Sequence, residues 1–524
     1  MVFDIRVESG LEATMRDGTI LRADAYRPMG SGPWPVLLVR TPYDKQNAEV
    51  LSRLDPQGAA GRGYLVIVQD CRGRFASDGV WEPLLHDGPD GYDTIVWAAS
   101  LPASNGRVGT YGPSYLGYTQ QAARAAQPPG LCASVPAFTW SDPNDGLMAR
   151  GGAYELGLMT HWTLSLGFDV LARRYADAPQ ELASRLAALN GALEDFRSRV
   201  VWDSPAEDLP VLRRLGLTTP KPTSAPHQRS AAIPTLTIAG WFDCFLQGSL
   251  DNHVAATASG APTALIVGPW THDDQSSQGG ASLNARELDF LDRHLRPDSS
   301  VQAPESPESP ESPVQVFVMG TDEWRRFPSW PSQSTESSWY LHPDACLAPL
   351  LPPNSPPDSF DHDPDDPVPT LGGAILLGPD FPSGQCDQAQ IEERDDVLIY
   401  TSEPMKTSLE VIGRVRVELF ATSTAPSTDW IARLCDVDEH GVSRNITDGI
   451  LRAPSAEPQR QPQKHTIDLW STAHAFLPGH RIRLQITSTC FPRWARNPAS
   501  STARQTVHHG NATPSRLILP RTPA

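Results

Sequence analysis

The sequence predicts an α/β domain broken by a helical insertion and followed by an all-β domain. Short apolar runs such as Val36-Leu37-Leu38-Val39 and Tyr64-Leu65-Val66-Ile67-Val68 read as strands buried on both faces of a parallel sheet. From Gln127 to Pro226 no such run occurs and helical spacing takes over. Beyond a proline-rich tract, strand-like segments alternate polar and apolar residues, the pattern of half-buried antiparallel strands.

In chain order, residues 1–126 alternate strand-like and helix-like segments and end in the Ala-rich stretch Tyr115–Ala126, which Pro128-Pro129 stops. The pattern resumes at Thr235–Ala239 and Ala264–Val267, with an amphipathic helix over Ala285–Leu295. One α/β domain is therefore expected from 1–126 and 227–297. The insertion, 127–226, includes Ala153–Leu166 and Pro179–Arg199, with apolar residues three and four apart, and reads as a helical cap over the sheet. Residues 298–313 contain three copies of Pro-Glu-Ser, which cannot bury a core and form an exposed linker. The remainder, 314–524, holds the alternating segments Val314–Val318, Arg414–Leu419 and Arg481–Ile486 and reads as a β-sandwich or jelly roll.

At 524 residues the chain is too long for one domain, and its 39% hydrophobic and 20% charged residues suit globular cores. The net charge is −18, from 43 Lys+Arg against 61 Asp+Glu, with no basic block. Such a chain repels nucleic-acid phosphates and anionic membranes, so neither is expected as a partner. No stretch reaches the ~18 apolar residues of a membrane helix. Met1–Arg6 has neither the basic cluster nor the apolar segment of a secretory signal. Seven scattered Cys without a CxxC pair suit a reducing compartment, and the cytoplasm is the expected location. A homo-oligomer is compatible with all of this.

The most informative segment is Gly112-Pro113-Ser114-Tyr115-Leu116-Gly117, between a short strand-like stretch and the Ala-rich helix. A serine at a sharp strand-to-helix turn projects from the sheet edge, toward the first N–H groups of the helix. Leu116 departs from the G-x-S-x-G pattern, and the segment alone reads first as a structural turn. Asp243 and His272 change that weighting. Each sits just past a predicted parallel strand, where open α/β sheets place their sites, and the order Ser, Asp, His is that of α/β-hydrolase triads. Serine needs a base to take its proton, and a carboxylate fixes the tautomer of that base. Read singly, His272 is a satisfied polar residue and Asp243 a helix cap.

With these residues in place, the chain resembles the cocaine esterase/X-prolyl dipeptidyl-peptidase (CocE/NonD) family of serine hydrolases nearly end to end. The resemblance rests on Asp17-Gly18-Thr19, Arg40-Thr41-Pro42-Tyr43-Asp44-Lys45, Gln69-Asp70-Cys71-Arg72-Gly73-Arg74 and Asn105–Gly117. In the C-terminal part it rests on Asp363–Thr370 and Phe491–Asn497. It implies an α/β-hydrolase domain with a helical cap and a galactose-binding-like jelly roll. It also implies Ser114 as nucleophile, Asp243 as orienting acid and His272 as general base. The oxyanion hole it implies is the Tyr43 hydroxyl with the Tyr115 backbone N–H; read alone, Tyr43 is a core tyrosine. No cofactor is implied. The acidic run Asp361–Asp366 imitates a calcium loop but has Asp366 where the loop needs glycine and Gly372 where it needs an acid, so no metal site is expected.

The family spans ester, X-Pro amide and amino-ester hydrolysis. Members that read an ammonium carry acids shortly after the triad Asp; here Cys244, Phe245 and Leu246 stand there, which leans the pocket apolar. Trp140, Asp142, Trp162 and Phe245 are the candidate substrate contacts, and Met148 and Tyr154 are further candidates to line the pocket. The leading expectation is a serine esterase acting on a small-molecule ester with a bulky or aromatic acyl group. The alternatives are an X-Pro dipeptidyl-peptidase or other amidase, and an acyltransferase or thioesterase.

Overall fold

A two-residue side-chain period puts Val36 and Leu38 on one face of a sheet and Leu37 and Val39 on the other, and all four are buried. In the computed structural model, which describes residues 3–198, 210–217, 219–221, 232–276, 283–296, 313–454, 459–497 and 502–522, they lie on the third strand of a ten-stranded sheet. The 298–313 tract lies outside these residues except for Pro313. The strands are β1 (Ile5–Thr14), β2 (Ile20–Pro28), β3 (Trp34–Thr41), β4 (Leu65–Asp70), β5 (Ser104–Pro113), β6 (Leu131–Ala137), β7 (Thr235–Phe242), β8 (Thr263–Thr271), β9 (Val314–Val318) and β10 (Glu323–Phe327). Their spatial order is β1-β2-β4-β3-β5-β6-β7-β8-β9-β10. The strands from β3 to β9 run parallel, with β1, β2 and β10 antiparallel at the edges. Helices Asp87–Ser100 and Tyr115–Ala125 cover one face through Ile95, Ala98 and Ala123; Pro56–Gly61 and Leu283–Leu295 cover the other through Ala59, Ala60 and Leu291. This is an α/β-hydrolase sheet.

Two expected boundaries move. β6 lies inside the expected cap, 127–226, yet it is a central strand between β5 and β7. Its sequence, Leu131-Cys132-Ala133-Ser134-Val135-Pro136-Ala137, has no apolar run because its polar atoms are satisfied one by one. Ser134 Oγ donates to Gln120 Oε1 at 3.0 Å, and the Val135 N–H donates to the same oxygen at 3.1 Å. The cap proper follows as helices Leu156–Arg174, Pro179–Ser198 and Pro210–Leu215, which share a core of Leu164, Leu171, Leu189 and Leu212. The second shift concerns Val314–Val318, expected to open the sandwich. It instead extends the first sheet as β9, with Val314 opposite Leu265. Alternation reports one half-exposed face, and the last parallel strand of a sheet shows it as well as a sandwich strand does.

The C-terminal domain is an eleven-stranded, mainly antiparallel assembly. Arg414–Leu419 falls in the long strand Leu409–Ser423, which pairs with Gln459–Phe476, Ala503–His508 and Arg516–Arg521. Its buried Val411, Val417 and Leu419 share one core with Trp241, Leu246 and Leu250 of the α/β domain. Charge also crosses the junction. Asp448 accepts two hydrogen bonds from Arg493 Nη1 (2.7 and 2.9 Å) and lies 3.6 Å from Arg150 and 3.8 Å from Arg433. Burial opposes ionisation of Asp448, yet the three guanidiniums hold its pKa below the ordinary carboxylate value. Beside it, Trp494 Nε1 donates to Glu155 Oε1 at 2.8 Å. Among the described residues no helix is long and apolar enough to cross a membrane.

Candidate active site

β5 ends at Pro113 and the next helix begins at Tyr115, leaving Ser114 between them at φ 58°, ψ −128°. A non-glycine residue adopts this conformation only when its surroundings impose it. The imposition is visible. A Cβ at Gly112 would lie 2.8 Å from Leu116 Cβ, and one at Gly117 would lie 2.7 Å from Thr139 Cβ, so both positions require glycine. The Ser114 N–H is shared between the carbonyls of Ala137 (2.9 Å) and Phe138 (3.2 Å), which ties the turn to the end of β6. Tyr115 is the first residue of the helix, so its N–H has no intrahelical acceptor. Its side chain is held away from that N–H: the hydroxyl donates to Asp87 Oδ2 (2.6 Å) and accepts from Leu84 N–H (2.8 Å).

Asp243 follows β7 and is fully buried. Its Oδ1 accepts the Phe245 N–H at 2.5 Å, and its Oδ2 lies 2.9 Å from His272 Nδ1. His272 follows β8, on a loop braced by Gln275, whose Nε2 donates to the carbonyls of His272 (2.6 Å) and Thr271 (3.0 Å). Burial disfavours a charged His272, but the charge and hydrogen bond of Asp243 outweigh it and raise the imidazole pKa above its ordinary value. A proton on Nδ1, held by Asp243, leaves Nε2 as the basic nitrogen.

Ser114, His272 and Tyr43 open onto one cavity of about 250 Å³. Its walls are mainly apolar and include Trp140, Leu158, Met159, Trp162 and Phe245, with Glu49, Arg53 and Asp273 among its polar members. Trp162 Nε1 donates to the Tyr43 hydroxyl at 3.0 Å. Burial pushes the Tyr43 phenol up to about 12, so it stays protonated at neutral pH.

Of the candidate substrate contacts, Trp140, Trp162 and Phe245 line this cavity and Asp142 does not. The Asp142 carboxylate closes a local turn, accepting from the Asn144 N–H (2.8 Å) and Nδ2 (3.0 Å). Met148 and Tyr154 also stay off the cavity, in the aromatic layer around Tyr118 and Trp140. Leu158 and Met159 were legible in principle, since Leu158 stands one helical turn before Trp162 on Leu156–Arg174. Nothing in the sequence marks Leu376, a cavity residue contributed by the C-terminal domain. Asp243, Cys244 and His272 bring three ligand-type atoms within 4.8 Å of one another. The first and last of these are engaged with each other, and burial holds the Cys244 thiol well above its ordinary pKa.

A strained serine on a strand-to-helix turn, above a sheet of this order, defines a serine hydrolase of the α/β-hydrolase fold. Residues 17–274 match the X-Pro dipeptidyl-peptidase (S15) family, and residues 309–518 match the X-Pro dipeptidyl-peptidase C-terminal non-catalytic domain. The chain belongs to this CocE/NonD group of serine hydrolases. It is 32% identical to the cocaine esterase of Rhodococcus sp. (strain MB1 Bresler) over 98% of each chain. Its fold is shared with an α-amino acid ester hydrolase at TM-score 0.75 and 22% identity, covering 99% of this chain and 97% of that one. It is also shared with a CocE/NonD family hydrolase from Staphylococcus aureus at TM-score 0.73 and 18% identity, covering 99% and 94%.

Proposed function

We propose that the protein hydrolyses carboxylic esters with a bulky or aromatic acyl group through a Ser114–His272–Asp243 triad. The observation that carries this reading is the 2.9 Å Asp243–His272 pair opening, together with Ser114, onto an aromatic-walled cavity. His272 Nε2 takes the Ser114 hydroxyl proton as Oγ attacks the ester carbonyl carbon, and Asp243 stabilises the imidazolium. The carbonyl oxygen, now negative, accepts from the Tyr43 hydroxyl and the Tyr115 N–H. A neutral phenol can donate there without losing its proton, and one such donor contributes about 2.7–4 kcal/mol. Collapse expels the alcohol, which takes the proton from His272. Water then attacks the acyl-serine by the same route. Trp140, Trp162 and Phe245 give the acyl group an apolar seat.

A competing reading, amide hydrolysis of an amino-terminal dipeptide, draws on Glu49 and Asp273, acids of the cavity that could pair an ammonium. One measurement tests the nucleophile common to both readings and a second separates them. Intact mass after fluorophosphonate treatment should show one adduct on the parent chain and none on Ser114→Ala; an adduct on both removes Ser114 as nucleophile. Phenyl and benzoyl esters should then be cleaved with higher kcat/KM than an Ala-Pro anilide, and the reverse order overturns the ester assignment.

A further inference from the structure

Trp162 lines the cavity, but its indole N–H does not face a substrate position: it donates to the Tyr43 oxygen at 3.0 Å. A phenol oxygen carries one proton, and an N–H bound to that oxygen confines the proton to the remaining directions. Ser114 opens onto the same cavity as Tyr43. The same indole stacks on the Tyr115 ring, with centroids 5.9 Å apart and planes 20° apart. The Tyr115 ring is fixed at its far end by Asp87 and the Leu84 N–H. One cap side chain, on helix Leu156–Arg174, therefore touches both residues that carry oxyanion donors.

We propose that Trp162 is a positioning residue for the reaction: its N–H occupies the acceptor side of Tyr43 and aims the Tyr43 proton at the carbonyl oxygen above Ser114. The inference rests on the assignment of Tyr43 as an oxyanion donor. Hydrogen bonds in such a chain polarise one another, so the indole also makes the phenol a stronger donor. Because Trp162 belongs to the cap, the oxyanion site is complete only when the cap helix is seated on the α/β domain.

The test uses the full-length protein and a benzoyl ester. Tyr43→Phe should lower kcat by about 10²–10³-fold. Trp162→Phe, which keeps an aromatic wall but has no N–H, should lower kcat by about tenfold with KM within about twofold. Replacing Trp162 by 3-benzothienylalanine, which retains both rings and substitutes sulfur for the N–H, should reproduce that loss and removes packing as its cause. In the Tyr43→Phe background either change at 162 should cost nothing more. A rise in KM with unchanged kcat would make Trp162 a wall of the acyl pocket, and losses that multiply in the double variant would uncouple it from Tyr43. Either result overturns this inference alone. A wild-type rate for Tyr43→Phe would overturn the oxyanion assignment beneath it.

Discussion

The Asp243–His272 pair and the Asp448 cluster are both buried carboxylates held by nitrogen bases, about which the protein builds two different things. Asp448 is surrounded by the guanidiniums of Arg150, Arg433 and Arg493, a side-chain type built to hold charge and not to exchange protons. Asp243 faces one imidazole, a group whose charge changes near neutrality, and that imidazole is about one-tenth exposed, on a cavity. The first arrangement can only hold; the second can pass a proton. Titratability of the partner and an open side, rather than burial or charge, separate the proposed reactive cluster from the structural one.

The sharpest way to break this comparison is to remove the proposed nucleophile. Ser114→Ala should lower ester turnover by about 10⁴-fold or more with an unchanged urea unfolding midpoint, measured side by side with the parent. Asp243→Asn should follow, with kcat down by about 10⁴-fold. Asp243 raises the His272 pKa, so its loss should also move the acidic limb of kcat/KM to lower pH. An unmoved limb would detach that limb from His272.

Asp448→Asn should act on the other side of the comparison, destabilising the chain by about 3–5 kcal/mol because three guanidiniums lose their buried counter-charge. Urea unfolding gives that number, while the fluorophosphonate labelling rate of the folded variant should match the parent. The folded Asp448 pKa lies below its unfolded value, so its stabilisation is full above the ordinary carboxylate range and disappears as pH falls through the folded value. The variant should therefore show a flatter loss of stability in acid. The smallest effect belongs to Trp494→Phe, which leaves Glu155 Oε1 without its indole donor and should cost about 1–3 kcal/mol in the same unfolding assay.

The proposed catalytic cluster is more legible in sequence than parts of the fold that support it. Ser114, Asp243 and His272 are each pinned to the end of a strand, and two of those strands announce themselves as apolar runs. β6 was hidden because Gln120 satisfies its Ser134, an arrangement that takes the apolar signature out of a central strand. Val314–Val318 reads as a strand in sequence but not as one of the first sheet, since alternation describes a face and not its neighbours. Asp142 reads as a substrate contact in sequence because a carboxylate near an aromatic run looks the same whether it binds a ligand or closes a turn onto Asn144. Leu376 had no signal, being more than two hundred residues from every other part of the site except Asp243, Phe245, His272 and their neighbours.

Leu376 also says something about how this protein can change over generations. The proposed reacting groups all precede the Pro-Glu-Ser tract, whereas Leu376 of the cavity wall follows it. Exchange of the C-terminal segment between relatives would then alter which esters fit while leaving the proton relay as it was. On the proposed function, substrate preference and chemical competence would be inherited, in part, from different stretches of the gene.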